Sequence, residues 1–490
     1  MAGPDKGHSA ALTHVPTENA PEAFVEKARE ALANAPLQRA LGDVKRGFVL
    51  KRAAAAAKLP EFDRLREEAR AIKDHALAHL DLYLEAYERK VRESGGQVHF
   101  APNAADARAV VLTLCREAGA RLVTKGKSMV SEEIGVNSEL AAAGIEVVET
   151  DLGEYIVQMR SERPSHIIAP VIHLNKEEIA ADFRRAHGAL PRARKLDTAD
   201  DLVAEARAVL REKFVGADVG ITGANLLIAE TGSSVIVTNE GNGDLTQTLP
   251  RLHIVIASIE KIVPTPEDAC TILRVLARSA TGQEITTYTT VSTGPRRAND
   301  PDGPLAYHVV LLDNGRSEML GGDFHAMLAC IRCGACLNHC PVYGAVGGHA
   351  YGSLFPGPMG AVLTPALQGI DRARHLPNAS SFCGRCEEVC PMGIPLPGLM
   401  RRWRERDFAK GNPPLKERLA LKAWAFAAKR PLLYHGLASV LMPLLAWAGR
   451  RGGSFRRLAW LGSWTGGRDF PAPQGKTFQQ LYAERSRRKP

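Results

Sequence analysis

The sequence predicts an α/β protein: a largely parallel sheet with N-terminal helices, followed by a mainly α-helical, cysteine-bearing domain and a helical C-terminal tail. Three observations carry this. Between residues 97 and 312 short apolar runs alternate with stretches of helical period, the pattern of strands joined by crossover helices. Seven of the nine cysteines fall between Cys330 and Cys390. Residues 401–490 carry 15 surplus positive charges, while the rest of the 490-residue chain carries six surplus negative ones.

In chain order, residues 1–20 are polar with Gly, Pro and Ser and are expected to be disordered. With the charged, alanine-rich helical stretch 21–58 they make an arm, 1–60. Pro60 punctuates. From Phe62 the apolar residues Leu65, Ala69, Ile72, Ala76, Leu80, Leu84, Tyr87 and Val91 fall at steps of three and four. This predicts one long amphipathic helix, ended by Gly95-Gly96. Strands are expected at Val98–Phe100, Arg121–Thr124, Ile145–Glu149, His166–Val171, Val219–Thr222, Ser234–Thr238, His253–Ala257, Thr286–Val291 and His308–Leu312. Helices are expected at 104–118, 131–143, 176–187, 198–213 and 266–280, completing an α/β domain over 61–312. Cys115 and Cys270 fall on two of these helices and read as buried small hydrophobes.

Ligands of such sheets sit beyond the carboxyl ends of the strands. Three polar, glycine-rich stretches lie there: Thr124–Met129, Gly220–Asn225 running on to Glu230–Ser233, and Asn239–Gly243. None is a phosphate-binding P-loop and no GxGxxG is present, so neither nucleotides nor dinucleotides are supported. Two readings stand: tight turns, or an anion-binding rim of backbone N–H groups with Lys125 or Lys127 meeting a carboxylate. Glu154 and His166, in the polar clusters 151–155 and 163–166, are candidates for acid–base chemistry against the plainer reading of structural residues.

Cys330, Cys333, Cys336 and Cys340-Pro341 spell C-x2-C-x2-C-x3-C-P, and Cys383, Cys386 and Cys390-Pro391 follow. The first run has the spacing of a bacterial ferredoxin, whose fourth cysteine ligates the neighbouring cluster. Structural zinc favours four ligands in separated pairs and fits three evenly stepped cysteines poorly. A disulfide framework does not suit a long chain without a secretory signal at its start. The crossover rule assigns Cys330, Cys333, Cys336 and Cys390 to cluster 1, expected to be [4Fe–4S]. It assigns Cys340, Cys383 and Cys386 to cluster 2. A complete second motif needs a cysteine where the chain has Ser380, so cluster 2 is either [4Fe–4S] with a non-cysteine ligand or [3Fe–4S]. This ferredoxin-type domain is placed at 313–408, with a mostly irregular Gly/Pro-rich insert, Tyr343 to Ser381, holding one helix near 360–373. Clustered cysteines without a leader place the protein in the cytoplasm.

The basic tail, 409–490, is expected to be helical. No nucleic-acid module accompanies its charge, which suits a membrane surface or an acidic partner. Its most apolar run, Leu432–Ala448, is 17 residues with His435, Gly436 and Pro443, short of the roughly 20 of a spanning helix. It reads as an amphipathic or partner-binding helix pair in peripheral contact with a membrane.

The stretches TDLGEYIVQMRSERPSHIIAP, GITGANLLIAETGSSVIVTNEGN, HVVLLDNGRSEML, CIRCGACLNHCPVYGAVGGHAYG and SSFCGRCEEVCPMGIPLP closely resemble the lactate-utilisation iron–sulfur protein family LutB. The resemblance runs from about residue 40 to 400 and more weakly beyond. It implies a LUD domain of NagB/RpiA/CoA-transferase-like fold, a two-cluster ferredoxin-type domain, and work with LutA-like and LutC-like partners in oxidising L-lactate to pyruvate. The seven cysteines take the family's cluster positions; Ser380 departs from members with an eighth cysteine. Glu154, His166, Asn225, Glu230 and Glu240 lie in the family's signature stretches and suggest a pocket. No motif here accepts a hydride. The expectation is an electron-transfer subunit, one component of a lactate dehydrogenase complex, passing electrons to an acceptor outside the chain. The alternatives are a stand-alone α/β small-acid or CoA-ester enzyme with structural clusters, and a redox-sensing scaffold.

Overall fold

The computed structural model describes residues 21–191, 193–449, 452–456 and 469–487. The expected disorder of 1–20 falls outside them. The strands are β1 (Gln97–Ala101), β2 (Leu122–Lys125), β3 (Glu146–Glu149), β4 (Val219–Gly223), β5 (Leu226–Ile228), β6 (Ser233–Thr238), β7 (Leu252–Ser258), β8 (Ile262–Val263), β9 (Tyr288–Ser292) and β10 (Ala306–Leu312). Six form one sheet in the order β1-β10-β7-β4-β2-β3, every neighbouring pair parallel. β7, at its centre, is buried along its whole length. Strands covered on both faces read as continuous apolar runs, which is why Leu252–Ala257 shows no alternation.

The other four strands form a second, mixed sheet, β8-β5-β6-β9. Here β5 and β6 are antiparallel, β5 and β8 parallel. At three and two residues, β5 and β8 are too short to show a period, and the sequence reading missed both.

One compact unit extends to Asp407 and a second begins at Phe408. Within the first, helices, second sheet and cysteine segment share one hydrophobic core, including Ile272, Val275, Leu337, Tyr343, Val362 and Leu376.

Five expectations within the first unit need correction. The helix from Phe62 is two, Phe62–Ala78 and Leu80–Glu93, broken at His79 (φ −127°, ψ 37°). The His79 Nδ1–H donates to the His75 carbonyl at 2.9 Å, taking up an oxygen that a continuous helix would give to the His79 backbone. The helix at 131–143 is also two, Met129–Ile134 and Val136–Ala142, parted by Gly135 at φ +69°. His166–Val171 is no strand: Ile168 and Ala169 both donate N–H to the His166 Nδ1, at 3.0 and 3.2 Å, curling the chain about the ring. The insert carries four α-helices where one was expected, Tyr343–Val346, Gly357–Gln368, Ile370–Ala373 and His375–Asn378, and a 3-10 turn at His349–Tyr351. Cys270 is exposed; Cys115 is buried, its thiol pushed up to about 12 by burial.

The second unit holds helices Leu415–Ala428, Pro431–Gly449 and Phe478–Arg487 and a ribbon of Ser454–Phe455 against Phe470–Pro471. The expected helix pair is a single helix of 19 residues that continues through Pro443. It is long and apolar enough to cross a membrane by length and composition. Leu432, Val440 and Trp447 stand exposed along it.

Candidate functional site

The two cysteine runs fold into two thiol groups. Burial and then Cys330, Cys333, Cys390 and, least, Cys386 push the Cys336 thiol well up. Burial and then Cys330 push up Cys390. In the other group burial and then Cys340 lift Cys386 to about 12, and the Cys340 thiol feels Cys383. Thiols this crowded ionise together only around a shared cationic centre. Among the described residues no three of these sulfurs come within 4.8 Å of one another. Tetrahedral zinc, with Zn–S about 2.3 Å, needs sulfurs roughly 3.8 Å apart. The wider spacing suits a polynuclear centre. The Tyr343 N–H donates to the Cys340 Sγ at 3.5 Å, the kind of hydrogen bond that tunes such sulfurs. The donor set therefore fits iron–sulfur ligation.

Three arginines of the N-terminal helices hold the second run. Arg52 donates to the Val389 carbonyl at 2.9 Å. Arg66 donates to Glu388 and Cys390 at 3.1 and 2.8 Å, and Arg70 to Met392 at 2.8 Å. The sequence offered the periodicity of these helices but no sign of this charge-assisted grip.

The first run lies against the carboxyl edge of the parallel sheet. Arg332, between Cys330 and Cys333, stands at φ +59° and ion-pairs with Glu260 at 3.3 Å. Glu260 also meets Arg316 at 3.0 Å, and Arg316 grips Glu133 with two nitrogens, at 2.9 and 2.7 Å. Burial would raise the Glu260 carboxyl, but Arg316 and Arg332 override it and hold it at about 2. Arg316 is fully buried. Glu133, Arg316, Glu260 and Arg332 thus run as one ion-pair network from the sheet to the cysteine loop.

His166 links the same two regions. Its Nδ1 accepts the two backbone N–H groups described above, so Nε2 carries the proton and donates to the Asn338 Oδ1 at 3.0 Å. Burial, then Lys127, lowers its pKa to about 3. With both nitrogens engaged it is a structural peg. Gly348 has no room for a side chain here: a Cβ would fall 1.7 Å from the Ser165 carbonyl.

A cavity of about 250 Å³ opens where these parts meet, lined by all three glycine-rich stretches together with Lys127, Lys261 and Arg332. Of the two lysines weighed from sequence, Lys127 lines it. Lys125 turns inward to Glu149 and Glu132 at 2.7 and 2.8 Å; burial alone would lower its pKa, but the two carboxylates raise it. Asn225 lines the cavity with its Oδ1 accepting from the Val237 N–H. Glu240 is on its rim, accepting from the Leu152 N–H at 3.3 Å. Glu154 is buried 4.0 Å from Lys127, and its carboxyl is raised by burial; it lines a separate hollow of about 470 Å³ shared with Glu132, Glu133, Glu149 and Glu162. Glu230 is exposed and lines neither. Lys261 and Arg332 were missed from sequence. The available signal was a cation immediately past a strongly apolar strand, and another inside a CxxC.

Three family matches cover the chain in order: LUD domain over residues 84–312, 4Fe-4S dicluster domain over 326–394, and Lactate utilisation protein B, C-terminal, over 406–487. Lactate utilization protein B of Bacillus licheniformis is 42% identical across 95% of this chain and 97% of its own. The chain belongs to the lactate utilization protein B family. The Bacillus subtilis member is 41% identical over 95% of this chain and 96% of its own. A solved duf162 family protein from Deinococcus radiodurans covers 48% of this chain and 98% of its own, at 14% identity and a TM-score of 0.28. The chain is thus an iron–sulfur protein of the lactate-utilisation kind, a parallel sheet with helices followed by a ferredoxin-type helical region and a helical C-terminus.

Proposed function

We propose that the chain is the electron-transfer subunit of a multi-subunit system that oxidises L-lactate to pyruvate. What supports this is the electrostatic coupling of thiols across the two runs: Cys390 with Cys330 and Cys333, and Cys340 with Cys383 and Cys386. Cys330, Cys333, Cys336 and Cys390 would hold a [4Fe–4S] cluster. The other three hold either a [3Fe–4S] cluster or a [4Fe–4S] cluster with a fourth ligand other than cysteine. Lactate releases two electrons and two protons on becoming pyruvate, and clusters bound here would take up those electrons singly. The protein's own part is to hold the thiols in a fixed frame and shield most of them from water. Cys333, Cys340, Cys386 and Cys390 are buried, and arginines of the N-terminal helices fix carbonyls of the second run. LutA-like and LutC-like proteins supply the rest of the system and an external acceptor receives the electrons. The work is cytoplasmic, with the basic, apolar second unit docking peripherally at a membrane.

The test is the complex purified without oxygen, with Cys333→Ala or Cys386→Ala in this chain. Lactate-linked reduction of the acceptor should fall to background in both. Turnover at the full rate in either variant sinks the relay. Paramagnetic resonance of the oxidised wild type decides the second cluster: a trinuclear signal means three thiols only.

A further inference from the structure

The cavity between the sheet and the first cysteine run contains two cations that the fold itself neutralises only in part. Lys261 is only 6% exposed and lines the cavity, yet among the described residues its ammonium has neither a hydrogen bond nor an ion pair. Arg332 shares one nitrogen with Glu260 and stacks over the Phe355 ring at 4.9 Å, while its Nε and Nη1 are buried without a hydrogen-bond partner. Buried charge left unpaired costs several kcal/mol, so a protein keeps it where something else arrives to pair it. A planar guanidinium with two free N–H groups beside a free ammonium is a receptor for a carboxylate.

We propose that this cavity binds a short monocarboxylate of the 2-hydroxy or 2-oxo acid class, its carboxylate held by Lys261 and Arg332. Size supports the class, since about 250 Å³ lies below the roughly 300–1,000 Å³ of pockets for drug-sized ligands. Chemistry does too. Leu276, Ala277 and Ala280 give the wall an apolar part that suits a methyl group, and Asp151 and Glu240 share the lining and repel a second carboxylate. The larger hollow beside it, with five glutamates against Arg108 and Arg163, has the wrong sign for an acid anion. The site also explains why the three glycine-rich stretches converge although no phosphate motif is present. Because Arg332 sits between two cysteines of the first run, the bound acid lies against that loop.

The choice of acid rests on the lactate-oxidation reading, but binding needs no electron flow and is tested apart from it. The full-length protein, purified anaerobically with its iron, is titrated calorimetrically with L-lactate, pyruvate, L-malate and inorganic phosphate. Lactate or pyruvate should bind, malate and phosphate about tenfold or more weakly. Lys261→Met, close to lysine in volume, should weaken lactate or pyruvate roughly thirtyfold or more, as truncating a buried charge partner does. Ala224→Leu, which fills the cavity without touching a charge, should weaken it also. Undiminished affinity in both variants, or no binding of either acid by the wild type, overturns the proposal. So does a Lys261→Met protein whose first cluster shifts its reduction potential while acid affinity is unchanged, because the lysine then serves the cluster alone. Loss of lactate-linked reduction in the cysteine variants with acid binding intact supports both readings. Full turnover without the clusters and intact binding removes the relay and leaves the site.

Discussion

The two cysteine runs are two copies of one loop in different surroundings. Residues 330–340 and 380–390 match position by position. Arg332 and Phe382 both stand at positive φ, +59° and +55°, just before a cysteine. Gly334 and Gly384 follow at +73° and +82° and each opens a four-residue helix, Ala335–Asn338 or Arg385–Glu388. The turns close alike, Cys340 N–H to the Leu337 carbonyl and Cys390 N–H to the Glu387 carbonyl, both at 3.1 Å. The contents differ. Cys330 has Ser380 as its counterpart, and the Ser380 Oγ accepts from the Phe382 N–H at 3.2 Å. Arg332 reaches into the sheet's ion-pair network, whereas Phe382 lies under the Arg404 guanidinium at 4.1 Å. In the second copy Cys383 is exposed. Spacing therefore dictates the backbone of such a loop, and a single residue before the second cysteine decides whether it faces an ion-pair network or an aromatic–cation stack.

The strongest way to break this pairing is Arg316→Met, which leaves Glu133 and Glu260 buried without their shared partner. It should cost about 3–5 kcal/mol, read as a fall in the thermal unfolding midpoint, and resonance spectra taken on heating should lose the first cluster before the second. Simultaneous loss would mean that the two copies stand or fall as one block.

Acid should act on the first copy through His166 and on the sheet through His253, another buried imidazole, hydrogen-bonded to Thr222 and lowered by burial to about 3. Both folded values lie below the ordinary 6.5. Their stabilisation is therefore complete above about pH 6.5 and drains away as pH falls toward 3. Each histidine should remove roughly 1.4 kcal/mol per pH unit in that window. Denaturant midpoints at pH 7.5 and 5.5 measure the slope, and His253→Gln should lower it by up to about 1.4 kcal/mol per pH unit below pH 6.5.

The mildest change makes the copies more alike. Ser380→Cys supplies the missing thiol at the cost of one serine hydrogen bond, about 1 kcal/mol. It should turn a trinuclear signal into a tetranuclear one, leaving the first cluster's spectrum as it was. A second cluster that is already tetranuclear and unaltered by the substitution would show that its fourth ligand comes from elsewhere.

Much of this was legible in the residues. Apolar runs such as Val219–Thr222 and His253–Ala257 marked the sheet because strands buried on both faces have no polar side to interrupt them. The cysteine spacing announced the loops because ligation fixes sequence intervals. Other features were hidden for definite reasons. Nothing local tells that His166 bends its own chain instead of extending it, since its partner Asn338 is 172 residues away. Lys125 and Lys127 look interchangeable in sequence; which faces a cavity depends on Glu149, one strand over. Lys261 and Arg332 are ordinary cations until the fold leaves the first without an ion pair and the second with two nitrogens unbonded.

The grip of the N-terminal helices on the second copy also sets a timetable. Arg52, Arg66 and Arg70 precede the carbonyls they hold by 322 to 337 residues. At roughly 5–20 residues per second, a ribosome takes about a quarter of a minute to a minute to make what lies between. Throughout that interval the first helices emerge with no carbonyls to bind, and the seven clustered cysteines appear only after residue 329. The nascent chain therefore cannot close these helices before the segment that captures iron has been made. Iron can enter an open site, and the helices that close over it are the oldest part of the chain.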